Sequence, residues 1–368
     1  MTANPSLPPI TCPTSLVASC APLLGFVPKE CVVAFVLGVP DRSGPVLIRL
    51  DLGDGHDARE RARELTAGIV GTQGSAVDLV AWIDAPDDAV RAELPSERFV
   101  DELFACLDDA GVGVASSVST NGRVWWSHDC PDVLCCGDPQ PLDPDVLSTV
   151  QAEYVYAGFA PLASRAELSA RIEPDQERVA ILTGRLSRSR EVTNPERWRE
   201  VQIGFLSGLL VPGWRARSTA ASAGAATRRA GSPIALPNLA RCLRGLQDVR
   251  VRDVVLHRMI VAEQRPADPW RQTVQLLEEL VRCAPERCGA PPATLLAIVA
   301  WMRGDGASAN IALDRAEADD QHYQLALLTR QVITRGVDPV VWRRTMATLT
   351  EAECRGRRPD RSSQRRRD

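Results

Sequence analysis

Carboxylates and one imidazole crowd a short stretch of the chain: Asp51, Asp54, His56 and Asp57, followed further on by Asp84, Asp87 and Asp88. Oxygen and imidazole donors at that density can hold a hard cation such as Mg²⁺ or Mn²⁺, which would serve chemistry on a phosphorylated substrate. The same residues also have structural uses. Asp54-Gly55 reads as a turn, Asp57 as an N-cap and Pro86-Asp87-Asp88 as a solvated turn.

A second constellation is softer. His128, Cys130, Cys135 and Cys136 place one imidazole and three thiols within nine residues, ligand types that zinc prefers. Adjacent cysteines point in different directions, so a site would need Cys130, one of Cys135 or Cys136, His128 and a remote ligand. Buried structural cysteines and a reactive thiol are the other readings of the same residues. Trp125 and Trp126 precede them. On a strand one indole faces the core and the other faces outward, where it can pack under the cysteine arm or offer a stacking surface.

Several chemistries lack their usual residues. Lys29 is the only lysine among 43 basic side chains, and its neighbours Phe26-Val27-Pro28 form no glycine-rich cradle, so P-loop and Schiff-base enzymes are excluded unless Lys29 serves. We find no G-x-G-x-x-G after a strand, no G-x-S-x-G and no H-E-x-x-H. The 11 cysteines are scattered and odd in number, which argues against a disulfide framework. With 45% hydrophobic and 24% charged residues over 368 positions, the composition suits two globular domains. No apolar run of membrane-spanning length and no signal-like start is present, so a cytoplasmic location is expected.

The elements that must position these residues follow from periodicity. Leu16, Val17, Cys20, Leu23 and Leu24 recur at helical spacing until Gly25, and Cys31–Leu37 and Pro45–Leu52 read as an antiparallel strand pair. A helix over Ala58–Ile69 capped by Asp57, a strand Asp78–Ile83, a helix Ser96–Ala110 and a strand Val112–Val118 then alternate. That alternation predicts that the second, third and fourth strands run parallel. If the third lies beside the second, Asp84 joins Asp51 at one crevice outside the strand ends, where α/β sheets bind ligands. Asn121-Gly122 predicts a reversal that sends Val124-Trp125-Trp126 back antiparallel, carrying the cysteine arm to the opposite end of the sheet.

After Pro144 nearly everything reads as helix: Val146–Ala157, Arg165–Ile172, Gln176–Arg188, Pro195–Leu210 and onward to Glu353. The expected organisation is an α/β domain over 1–144 (a mixed, mainly parallel sheet with flanking helices), a helical connector over 145–212, an Ala/Arg-rich linker over 213–237 and an all-α domain over 238–353. An arginine-rich tail follows over 354–368. Within the all-α domain two amphipathic helices meet at Gly304-Asp305-Gly306 and resemble one tetratricopeptide unit, although Gln321 stands where a proline is usual.

Three blocks carry a wider resemblance: Pro22-Leu23-Leu24-Gly25-Phe26-Val27-Pro28-Lys29-Glu30-Cys31-Val32-Val33, then Gly122-Arg123-Val124-Trp125-Trp126-Ser127-His128-Asp129-Cys130, then Val155 to Leu168. With Trp301-Met302-Arg303-Gly304-Asp305-Gly306-Ala307 they resemble, over roughly residues 13 to 350, the actinobacterial family called domain of unknown function 4192. Cys31 stands where that family more often has serine, and Phe159 where it often has arginine. The resemblance implies no catalytic residues.

The reading that follows is a non-catalytic protein that binds a small ligand or a protein partner, with no membrane role. One rival is a metal-dependent enzyme acting on a phosphorylated substrate through Asp51, Asp54, His56 and Asp84, with Mg²⁺ as the cofactor there and zinc as the candidate at the cysteine arm. Another is nucleic-acid binding by the arginine tail, which lacks any accompanying recognition motif.

Overall fold

The computed structural model describes residues 8–40, 44–53, 57–129, 137–157, 159–188, 191–211, 234–261 and 270–356. The chain divides into two compact units, one formed by Met1–Leu168 with Thr334–Gly336, the other by Ser169–Ile333 with Val337–Asp368.

The first unit is built on one mixed sheet of six strands: β1 (Cys31–Leu37), β2 (Val46–Asp51), β3 (Ala76–Trp82), β4 (Gly113–Thr120), β5 (Val124–Ser127) and β6 (Gln140–Pro141). Their order across the sheet is β2-β1-β3-β4-β5-β6. β1 is antiparallel to both neighbours, β3 and β4 are parallel, and β4–β5 and β5–β6 are antiparallel. The strands β2, β3 and β4 therefore share a direction, as the alternation predicts, but the expectation of a mainly parallel sheet fails. The reason is β1, whose residues Cys31 to Val36 are all buried. A strand apolar on both faces belongs in the sheet centre, so the β1–β2 hairpin turns its inner edge to β3 and pushes β2 outward.

Helices α2 (Ala58–Gly71) and α3 (Glu97–Asp109) cover one face, where Val32, Ala34, Leu79 and Ala81 meet Leu65, Ile69, Leu103 and Leu107. On the other face Cys20 of α1 (Pro13–Leu24) meets Trp82 and Cys31. α1 starts with Pro13 at its first turn and ends at Gly25, whose φ of 78° puts it in the left-handed region that glycine tolerates. Helix α4 (Pro144–Tyr156) packs on α1 through Val150, Tyr154 and Ala18. Asp57 stands at the N-cap position of α2, yet its side chain makes no capping bond.

Short α5 (Arg165–Ala170) leads to the second unit, where α6 (Gln176–Ser187), α7 (Pro195–Leu210), α8 (Leu236–Leu246), α9 (Val249–Val261) and α10 (Arg271–Cys283) follow. Then come α11 (Ala290–Met302), α12 (Gly306–Asp319), α13 (Gln324–Thr334), α14 (Pro339–Thr348) and α15 (Glu351–Cys354). The helix α11 is not amphipathic: every residue from Ala290 to Trp301 is buried, which makes it the central rod of the unit. Its partner α12 presents Ala309, Ala312 and Ala316, all fully buried, and small side chains let two helices approach closely. The linker residues 213–233 and the tail from Arg357 lie outside the described residues. Among the described residues no helix is long and apolar enough to cross a membrane.

Candidate functional site

The acidic crevice is divided by the strand order. Cys31 pairs with Asp51 on one side and with Trp82 on the other, so β1 lies between the end of β2 and the end of β3. Two strand spacings amount to roughly 10 Å, so Asp51 and Asp84 do not stand on neighbouring strands. Asp51 is instead held by the guanidinium of Arg49, while Arg61 bonds its backbone carbonyl. Asp87 accepts from Asn121 Nδ2 at 2.7 Å and from Arg123 Nε at 2.9 Å, and these bonds lower its pKa. Asp54 and His56 lie outside the described residues, as do Cys130, Cys135 and Cys136. Among the described residues no group of three or more His, Cys, Asp or Glu side chains could hold a metal ion.

The reversal at Asn121-Gly122 occurs as predicted. Asn121 Oδ1 accepts from the amides of Arg123 and Val124, and Gly122 has φ of 87°. It sets Trp126 opposite Ser119 and Trp125 opposite Thr120. Trp126 is the inward indole, completely buried, with Nε1 donating to Ala89 O at 2.9 Å. Trp125, on the other face, is half-buried.

His128 follows on the same face as Trp126, and there the structure assembles a polar chain. His128 Nε2 lies 2.7 Å from Ser119 Oγ, and Ser119 Oγ lies 2.8 Å from Ser96 Oγ. On the other side of the ring Nδ1 lies 3.2 Å from Glu97 Oε2. Arg91 Nε stands 3.4 Å from Glu97 Oε1, and Arg91 Nη1 donates to Ser127 O at 2.9 Å. The parts come from three places: Ser96 and Glu97 open α3, Ser119 belongs to β4, and Arg91 precedes α3 in a short turn. Burial pushes the imidazole down to about 4, with Arg91 adding to the effect. A neutral ring then accepts Ser119 O–H at Nε2, while Nδ1 faces the Glu97 carboxylate.

Serine, histidine and glutamate in this order are the parts of a hydrolytic triad. Ser119, however, is completely buried and so is Ser96, and Ser96 fills the position on Ser119 that an incoming carbonyl would need. The chain is therefore a buried polar network rather than an open nucleophilic site. It fixes the strand exit: Asp129, the next residue, accepts from Ser117 N at 2.5 Å and from Ser116 Oγ at 3.3 Å. With Nε2 bonded to Ser119 and Nδ1 turned to Glu97, His128 would have to give up one of these neighbours to ligate a metal. Sequence spacing names His128 but misses Ser96, Glu97, Ser119 and Arg91. The one local signal is Ser96-Glu97 at the start of an amphipathic helix, which reads equally well as ordinary helix-start chemistry.

The first and third motif blocks also meet. Val27 N donates to Leu162 O at 3.0 Å and Leu162 N donates to Gly25 O at 2.9 Å, so the turn after α1 is clipped to the segment after α4. Phe159 stacks edge-on against Tyr154 with ring centres 6.0 Å apart.

The helical unit holds an open cavity of about 470 Å³. Trp301, Leu325, Leu328, Val332, Trp342 and Met346 line most of it. Trp301 and Trp342 stand edge to face at 5.4 Å. At one end Arg252 is satisfied by Asp253 at 2.6 Å and by Tyr323 Oη at 2.6 Å.

Comparison with known proteins places the chain in one family. The family described as domain of unknown function DUF4192 matches residues 13–340, and the chain belongs to it. No curated protein and no solved structure matches the chain.

Proposed function

We propose, with membership of the DUF4192 family as the premise, that this is a non-catalytic cytoplasmic binding protein whose helical unit takes a small ligand with an apolar body. The observation that carries this reading is the cavity of about 470 Å³ with its tryptophan and aliphatic lining. Its volume falls in the usual range for small-molecule sites, which are mostly apolar with a few polar groups at one end. Leu328 is 55% exposed at this cavity, an apolar side chain left in water that a bound ligand would cover. We also read α11 and α12 as a tetratricopeptide-like hairpin, a reading supported by the small residues of α12 against the fully apolar α11.

The rival metal-dependent enzyme has less support, because β1 stands between Asp51 and Asp84. The test of the binding reading is titration with N-phenyl-1-naphthylamine, an uncharged apolar probe, followed by tryptophan fluorescence. Saturable quenching is expected, and Leu328→Glu should weaken it by about tenfold, since a charge in an apolar site costs more than 1 kcal/mol. Absence of saturable binding, or a Leu328→Glu variant that binds as well, would remove the proposal.

A further inference from the structure

The apolar cavity of the helical unit has unequal charge at its polar end. Among its described lining residues only Arg252, Asp253 and Glu353 are charged, so two carboxylates stand against one guanidinium. The guanidinium is already committed. Its Nε and Nη2 both donate to Asp253 Oδ1, at 2.8 and 2.6 Å, and its Nη1 donates to Tyr323 Oη at 2.6 Å.

Each carboxylate, by contrast, is half used. Asp253 takes both bonds from Arg252 on Oδ1. Glu353 takes the amide and the hydroxyl of Thr350 on Oε2, each at 2.8 Å. Asp253 Oδ2 and Glu353 Oε1 have no hydrogen-bond partner among the described residues. The two bonds from Thr350 also hold the Glu353 carboxyl below its ordinary range, so it is ionised at neutral pH. The thiol of Cys354, which lines the same cavity, senses the resulting field: burial raises its pKa, and the charges of Asp253, Glu351 and Glu353 add to the rise. Glu351 is taken up by Arg258 and Arg355, which leaves Asp253 and Glu353 as the acidic groups of the cavity.

A carboxylate ligand would find Arg252 occupied and two like charges beside it. An ammonium group only donates, so it can bond a spare carboxylate oxygen without disturbing the pair of Arg252 with Asp253. Trp301 and Trp342, with ring centres 5.4 Å apart, supply indole faces, which attract cations. On the premise that this cavity is a ligand site, we propose that its ligand is an organic ammonium amphiphile. An apolar chain or ring system fills the tryptophan and aliphatic lining, and a protonated amine ends it at Asp253 and Glu353.

The test is displacement of N-phenyl-1-naphthylamine from the full chain by decylamine, decanol and decanoate, three ligands with one chain and different head charge at about pH 7. Decylamine should compete best and decanoate worst, with roughly tenfold between them at about 50 mM salt and less as salt rises. Glu353→Gln keeps an acceptor for the cap at Thr350 but removes a charge, and it should narrow that ratio by about threefold. Asp253→Asn releases Arg252 as well, so it should also raise the affinity for decanoate. Decanoate or decanol binding as tightly as decylamine overturns the proposal and leaves the cavity a ligand site, whereas failure of the probe and all three ligands to bind removes both. A preference for the amine that is unchanged in Glu353→Gln and Asp253→Asn also overturns it, because the cation then sits on some other acidic surface. Should Asp253→Asn fail to fold, Glu353→Gln decides.

Discussion

His128 illustrates how a residue's chemistry is reassigned by its surroundings. Its position next to three cysteines suggests a metal ligand, whereas its ring is sealed between Ser119 and Glu97. Burial lowers its pKa from 6.5 to about 4, and the sign of the consequence follows. As pH falls below 6.5 the unfolded chain takes up a proton that the folded chain refuses, so stability present at neutral pH is lost between 6.5 and about 4. The loss attributable to this ring is about 3 kcal/mol at the acid end. Glu97, raised by burial, has the opposite slope just above its ordinary range and offsets part of it. Urea unfolding of the protein and of His128→Gln at a series of pH values should give stabilities that converge as the solution is acidified. Parallel profiles would show that the ring does not titrate with folding. The partners of His128 were not legible in the sequence, because Ser96, Glu97 and Ser119 meet it only through the packing of α3 against β4 and β5.

At the scale of elements, ends were easier to read than neighbours. The helix α7 runs from Pro195 to Leu210 as its pattern predicts, because Asn194 caps it by accepting from Arg197 N at 3.0 Å and Pro195 presets the first turn. Local chemistry of that kind is written in consecutive residues. The start of α11 is different. Its amides are capped from a distance by Asp319, whose carboxylate accepts from Arg287 N at 2.9 Å, Gly289 N at 2.8 Å and Ala290 N at 2.9 Å. Nothing near Gly289 in the chain announces this partner. Asp319→Ala should destabilise the protein by about 2–3 kcal/mol, because it strips the acceptor from several amides at once. Asp319→Asn, which keeps one acceptor oxygen, should fall between the two. A loss below about 0.5 kcal/mol in denaturant unfolding, the size expected of an ordinary surface change, would mean that water serves these amides equally well.

For the whole molecule, strand directions were legible but strand order was not: alternation of strands and helices fixes which way β2, β3 and β4 run, while the place of β1 depends on which edge of a hairpin finds β3. That single insertion is why Asp51 and Asp84 do not stand on neighbouring strands. The division into two units makes ligand linkage a second check on the apolar cavity. In calorimetry the apolar probe at about 100 times its dissociation constant should stabilise the state that binds it by about 2.7 kcal/mol. The Leu328→Glu variant should show no such rise, and an equal rise in both proteins would place the probe elsewhere. The clip between Gly25–Val27 and Leu162 bears on how the molecule is made. About 135 residues of chain separate its two sides, and at roughly 5–20 residues per second of synthesis the turn after α1 must wait on the order of ten seconds or more for Leu162 to be made. α1 also lacks α4, its packing partner, until Tyr156 has been added, so a nascent chain arrested before Pro144 would leave that face of its own first helix exposed to whatever chaperone reaches it.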